Sequence, residues 1–405
     1  MTRTDRLLVG AAALTGCVLA ACQPTPAGPP TTTPPSTAPS SNTPPSGSAT
    51  SAAPSPSPSP SAARCVDGLD LEEQVGQLFM VPASVSSADG TASLLANTRA
   101  GSVILMGNSS AGVDATRRVT DAIRANAEQP DGVELLIATD QEGGQVQRLT
   151  GPGFGTWPAA IDQAEQSDDK LERTAEKWGT AMGEAGVDSV LAPVADVVPK
   201  SLGRANEPVG QWGRQYGSDV DVVGAKVSAV VRGYDAAGVA TSVKHFPGLG
   251  KVKGNTDHVA KVVDNTTTRN DKDLAAFDDA MEAGTDMVMV STANYAKIDA
   301  DHPAAFSSTV IEEMLREDRG WDGVVASDDL GVAKQVADLK PGQRALRFLQ
   351  AGGDLVITVD PGTAGDMVRA VRDEAKSDPE FADEVATKAE RVLRMKERRG
   401  LATCS

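Results

Sequence analysis

From Cys65 onward, short apolar runs alternate with longer stretches of amphipathic spacing. The runs are Gln77–Pro82, Ser102–Met106, Glu134–Thr139, Ser189–Pro193, Ala240–Val243, Met287–Ser291, Gly323–Ser327 and Asp354–Thr358. Each is rich in Val, Ile, Leu or Met and too short for a helix, so each predicts a strand. Their apolar character is continuous rather than alternating, which predicts strands covered on both faces and therefore parallel. Between them lie helical patterns, among them Thr116–Ala127, Lys170–Ala185, Asp219–Ala236, Asp271–Ala283 and Gln343–Ala351. Eight strand-helix units predict an α/β fold of the (β/α)8 TIM-barrel class across 65–405. The competing doubly wound open sheet binds its ligand through a glycine-rich or Walker loop after a strand, and no such loop is present.

The segment before Cys65 reads differently. Arg3 and Arg6 precede the apolar stretch Leu7–Ala21, which is too short to span a bilayer comfortably and predicts an export signal over 1–21. It ends Leu19-Ala20-Ala21-Cys22, which resembles the bacterial lipobox, so lipidation of Cys22 is expected after cleavage. Residues 22–64 hold most of the chain's 25 prolines among Ser, Thr, Ala and Gly. Nothing there can bury an apolar face, and a disordered tether reaching roughly 40 Å as coil or about 130 Å as extended polyproline II is predicted. The expected location is the outer face of the bacterial cell membrane, held by lipid alone and reaching into the cell wall. Cys65 and Cys404 then remain at the two ends of the folded domain. In an oxidising compartment a disulfide between them is expected, provided the ends meet.

Charge removes one class of partner. Fifty-five acidic side chains face 38 Lys and Arg, for a net charge of −17, and only Asp5, Arg3, Arg6 and Arg64 of these precede Cys65. So acidic a domain repels phosphate backbones, and no nucleic-acid partner is expected. The three histidines, His245, His258 and His302, have no metal-ligand spacing, and no metal or cofactor is expected. A monomer is expected.

Barrel enzymes work at the carboxyl ends of their strands, so the residues following each run carry the chemistry. After the third run comes Asp140-Gln-Glu-Gly-Gly-Gln-Val-Gln-Arg148, and after the fourth Pro193-Val-Ala-Asp196. The fifth runs into Lys244-His-Phe-Pro-Gly-Leu-Gly250 and then Gly254-Asn-Thr-Asp-His258, and the seventh ends Ser327-Asp-Asp-Leu330. Singly, each has a plain explanation: a strand-end Asp caps the next helix, and glycines punctuate loops. Together they place carboxylates, a lysine and a histidine on one rim, where a core has no use for them.

These motifs resemble the signatures of glycoside hydrolase family 3, and most resemble its single-domain bacterial β-N-acetylglucosaminidases. Leu71-Glu-Glu-Gln-Val-Gly-Gln-Leu78, Leu191-Ala-Pro-Val-Ala-Asp196 and Gly284-Thr-Asp-Met-Val-Met-Val290 fit the same pattern. The lipid-anchored, Pro-rich arrangement is similar to the family's actinobacterial lipoproteins. The resemblance implies a carbohydrate substrate: a terminal β-linked N-acetylglucosamine of cell-wall fragments, removed with retention through a glycosyl-enzyme. It implies Asp328 as nucleophile and Asp140, Arg148, Arg214, Lys244 and His245 as sugar-binding residues, which leaves Asp329 to start a helix or support its neighbours.

The acid/base position departs from the family pattern. Better-known members carry Lys-His-Phe-Pro-Gly-His-Gly and then Asp-Ser-His, whose histidine moves the proton. Here Leu249 replaces the first histidine, and an ungapped count sets Asn255-Thr256-Asp257 on Asp-Ser-His. Asp257 is then the acid/base; a one-residue shift would restore an Asp257-His258 pair, with His258 as the alternative. A carboxylate there repels phosphate and favours water, whereas some histidine-type relatives look able to use phosphate as acceptor. The other readings are a β-glucosidase-type exo-hydrolase, an N-acetylglucosaminide phosphorylase, and a catalytically silent sugar-binding lipoprotein. Trp212 lies near Arg214 and within reach of a ligand; His302, in Asp301-His-Pro303, takes a surface turn without a role.

Overall fold

A computed structural model describes residues 64–404. The expectations for the export signal, Cys22 and most of the tether fall on residues outside that range.

Eight parallel strands form one sheet: β1 Phe79–Ser84, β2 Ser102–Met106, β3 Leu136–Thr139, β4 Ser189–Val190, β5 Ala240–Phe246, β6 Met287–Val290, β7 Val324–Ser327 and β8 Val356–Ile357. Neighbours follow chain order from β1 to β7, and β8 pairs with β1. A bridge between Ala326 and Leu355 joins β7 to β8, so the sheet closes into the expected barrel.

Alternation along each strand explains why the runs read as continuously apolar. Met80, Ile104, Leu136, Ala138, Leu191, Met287, Met289, Val324, Ala326 and Ile357 form one cluster inside the barrel. Phe79, Val81, Val103, Leu105, Ile137, Val288, Val290 and Val325 belong to a second cluster, shared with the surrounding helices. Both faces of each strand thus meet apolar neighbours. The helices end where their sequences say they should. Asp219 accepts from the Asp221 and Val222 amides at the start of Val220–Ala236, and Asp378 does the same ahead of Pro379–Arg398, where proline occupies the first turn.

The floor of the barrel is sealed by that last helix. Val392 and Met395, with Leu401 beyond it, join the interior cluster. Lys396, fully buried, donates to Gln77 Oε1 (2.7 Å), Gly101 O (2.7 Å) and Glu134 O (2.9 Å). Past the helix, Ala402 pairs antiparallel with Val133, and Cys404 forms a disulfide with Cys65 at a Cα–Cα distance of 4.5 Å. No described helix is long and apolar enough to cross a membrane.

Candidate active site

At the carboxyl ends of the strands lies a cavity of about 460 Å³. Its floor is the upper layer of the barrel interior: Ile104, Leu191, Met289 and Ile357. Its walls include every sequence-predicted sugar-binding and catalytic residue: Asp140, Arg148, Arg214, Lys244, His245, Asp257, His258 and Asp328.

β5 runs three residues beyond the expected Val243, because its polar end is buried rather than solvated. Lys244 pairs with Met289 and Phe246 with Val290, so the ladder shifts by one residue at His245. Such a bulge re-aims side chains, and both Lys244 and His245 line the cavity. Lys244 Nζ sits 2.9 Å from Asp140 Oδ1 and 2.7 Å from Glu142 Oε1. Burial alone would pull this ammonium down, but the two carboxylates outweigh it and raise it above the usual lysine range.

After β3 the chain turns back on itself through Gln141–Gly143 and Val146–Gln147, a hairpin pinned by Gln141 to both backbone groups of Leu149. The paired glycines are needed there. Gly143 and Gly144 have φ of +99° and +56°, and a Cβ on Gly143 would lie 2.2 Å from Pro158 O. This turn presents Glu142, which receives Arg214 Nε and Nη2 at 2.8 Å each. Burial would raise the Glu142 carboxyl; Arg214 and Lys244 together hold it far below the usual carboxylate range. Arg148 closes the hairpin with Nη1 3.5 Å from Asn108 Oδ1, and its buried Nε has no protein partner among the described residues.

His245 is fixed from behind. Asp196, fully buried, accepts from His245 Nδ1 at 2.7 Å and from the His245 and Leu249 amides at 3.2 and 2.7 Å. A carboxylate at Nδ1 places that proton between them and leaves Nε2 toward the cavity, 3.4 Å from Arg214 Nη2. Asp328, at the end of β7, accepts from the Asp329 amide at 2.8 Å. Burial pushes its carboxyl up; His245 pulls it down, Asp257 pushes it up again, and Lys244 lowers it. Asp329 supports its neighbours rather than starting a helix, since the next helix begins only at Lys334. Its carboxylate accepts from the amides of Gly331, Val332, Ala333 and Val359 and builds the turn after β7.

Asp257 and His258 stand on the loop after β5, both exposed at the cavity mouth. The Asn255 side chain accepts the Asp257 amide at 2.9 Å, and Asn255 O receives those of His258 and Val259. On its protein side the Asp257 carboxyl is desolvated; that, followed by the negative charge of Asp329, raises it above the usual range. Trp212, 46% exposed, lines the same mouth. His302 lies away from this cavity, on the strand Asp299–Pro303, paired with Asp299 at 3.1 Å.

Two residues that carry the site were not singled out by sequence reasoning. Glu142 follows Asp140 by two, which on an extended chain puts both carboxylates on one side. Asp196 stood inside a noted motif without a role. Metal-type donors gather only at Cys65, Glu397 and Cys404 among the described residues, and there the two sulfurs are bonded to each other.

A rigid strand-end carboxylate, a carboxyl poised to hold a proton, and an array of cationic donors suit acid-assisted displacement at an acetal carbon. Comparisons with known proteins agree. Residues 70–395 match the model of the glycosyl hydrolase family 3 N-terminal domain. The chain is 35% identical over 268 residues to the beta-hexosaminidase of Stenotrophomonas maltophilia (strain K279a), spanning 63% of this chain and 76% of that protein. It is similar in structure to the beta-N-acetylhexosaminidase of Beutenbergia cavernae DSM 12333, with a TM-score of 0.79, 44% identity and coverage of 81% of this chain and 99% of the other. A family 3 beta-N-acetylglucosaminidase from Paenibacillus sp. str. FPU-7 follows at 28% identity and a TM-score of 0.73, with 83% and 64% covered. With the barrel, the cavity and these relatives in agreement, the chain belongs to glycoside hydrolase family 3 and is a glycoside hydrolase.

Proposed function

We propose that the protein is a retaining, exo-acting β-N-acetylglucosaminidase that removes terminal β-linked N-acetylglucosamine from peptidoglycan-derived fragments. The observation that carries this reading is the convergence of Asp328, Asp257, Asp140, Lys244, Arg214 and His245 on one cavity with an apolar floor. A floor formed by the barrel core blocks passage of a polymer, so a chain end enters from the mouth. Arg148, Arg214 and Lys244 are donors matched to hydroxyl and acetamido oxygens.

In this mechanism the Asp328 carboxylate attacks the anomeric carbon as Asp257 gives its proton to the departing glycosidic oxygen. The ionised Asp257 then takes a proton from water, whose oxygen attacks the same carbon and releases Asp328. Asp257 must start protonated and Asp328 ionised. Activity therefore falls as pH rises through the raised Asp257 value and falls again as pH drops through that of Asp328. The acetamido preference is supported by the likeness to a beta-N-acetylhexosaminidase and a beta-N-acetylglucosaminidase. A lipid-anchored enzyme on the outer face of the membrane is supported by the lipobox-like Cys22 and the Pro-rich segment.

The test is release of nitrophenol from the β-N-acetylglucosaminide and the β-glucoside by wild type, Asp328→Ala, Asp257→Ala and His258→Ala, with and without azide. Cleavage of the acetamido sugar is expected, abolished in Asp328→Ala and restored by azide in Asp257→Ala alone. Restoration only in His258→Ala would move the proton to the imidazole and favour phosphate as acceptor.

A further inference from the structure

We infer that Gln335 is a positioning residue for the acid/base: it latches the loop carrying Asp257 to the loop that follows Asp328. This rests on the assignment of Asp257 made above. The root of the Asp257 loop is fixed independently. Asp196 holds the Leu249 amide, Asn206 Nδ2 donates to Leu249 O and Val252 O at 2.8 Å each, and Tyr295 Oη donates to Gly248 O at 2.9 Å.

The tip has little of this. Asn255 organises it from within, and among the described residues a single hydrogen bond joins residues 254–260 to the rest of the chain. That bond runs from the Gln335 amide to Thr256 O, 3.1 Å, immediately beside Asp257. The Gln335 side chain grips the returning limb. Its Oε1 accepts the Val262 amide at 2.7 Å, and its Nε2 donates to Val262 O at 3.3 Å and to Asn294 Oδ1 at 2.8 Å. One residue thus ties both limbs of the acid/base loop to the loops after β6 and β7. Buried neighbours, Ala333 and Val336, anchor Gln335 itself. Its place in the short helix Lys334–Val336, seven positions beyond Asp328, gives the two carboxyl-bearing loops a common brace.

Losing the side chain takes two hydrogen bonds from Val262, whose carbonyl keeps the Asn294 amide at 3.0 Å, and spares the backbone bond to Thr256 O. The returning limb is loosened while Asp328 and the sugar-binding array are left untouched. The consequence is specific to proton donation, because a displaced acid hurts only leaving groups that need protonation. The experiment compares kcat/KM on the phenyl and dinitrophenyl N-acetyl-β-glucosaminides for wild type, Gln335→Ala, Asn294→Ala and Asp257→Ala. Thermal unfolding of each variant is measured alongside. Gln335→Ala is expected to lose about tenfold on the phenyl glycoside, short of the roughly hundredfold that a misplacement of about 1 Å can cost, and to stay within about twofold of wild type on the activated one. Asn294→Ala should show the same pattern, more weakly, and carries the test if Gln335→Ala does not fold. Equal losses on both glycosides, or none on either, would overturn the inference while Asp257→Ala still discriminates between them. If Asp257→Ala itself fails to discriminate, the acid/base assignment falls, and the latch falls with it.

Discussion

Glu142 shows how one side chain sets the behaviour of its neighbours. It is buried, receives two bonds from Arg214 and one from Lys244, and so compensates two cations that would otherwise stand desolvated. Its carboxyl is held below its ordinary value of 4.5, so the stability it contributes is fully present above that pH and is lost only as pH falls far into acid. Glu142→Gln is expected to cost about 3–5 kcal/mol of unfolding free energy, the usual result of removing one member of a buried ion pair. It should also raise KM by at least about tenfold, since Arg214 loses its bidentate anchor; chemical denaturation and steady-state kinetics check both. At this scale much of the site was legible. Asp140 and Asp328 sit directly after strands, Lys244 and His245 close the end of β5 and Arg148 follows a hairpin, and their types are wrong for a core. Glu142 and Asp196 were harder, because each acts by holding another residue and no spacing rule announces that. Gln335 gave no signal, since its importance lies in contacts with residues 73 and 41 positions away.

The elements follow the apolar pattern unevenly, for physical reasons. Strands β2 and β3 stand where continuous apolar runs placed them. β5 extends past its apolar run because Lys244 and His245, loop-like in isolation, are paired by Asp140, Glu142 and Asp196. β4 and β8 keep only two residues of ladder each, Ser189–Val190 and Val356–Ile357, although the apolar runs around them are longer. There the backbone stays bonded to its neighbours outside a regular ladder: Leu191 N to Thr139 O and Ala195 N to Lys244 O beside β4, and Thr358 N to Met80 O beside β8. The expected helix Asp271–Ala283 begins as a 3-10 turn at Lys272–Leu274 and becomes α-helical only at Ala275. The segment Thr309–Glu317 winds as a π-helix, an irregularity that amphipathic spacing does not encode.

For the whole molecule, barrel closure followed from counting strand-helix units, whereas the seal beneath it did not. A lysine within an amphipathic C-terminal helix reads as surface, yet Lys396 is the polar plug of the barrel floor, meeting three acceptors. Burial pulls its ammonium down to about 7 from 10.5. Between those values the folded chain binds fewer protons than the unfolded one, so this group's contribution is fully present above 10.5 and lost as pH falls through 7. Lys396→Met strands three acceptors and is expected to cost about 1–3 kcal/mol. It should also flatten the rise in stability across that window relative to wild type, read from denaturant midpoints at a series of pH values.

The proposed mechanism passes through a sugar bound covalently to Asp328. Its most direct test is the intact and peptide mass of Asp257→Ala after mixing with dinitrophenyl N-acetyl-β-glucosaminide, where the first step needs no acid and the second lacks its base. One added N-acetylhexosaminyl unit is expected, on the peptide containing Asp328 and absent from the Asp328→Ala, Asp257→Ala double variant. Turnover without an adduct, or an adduct on any other residue, would contradict it.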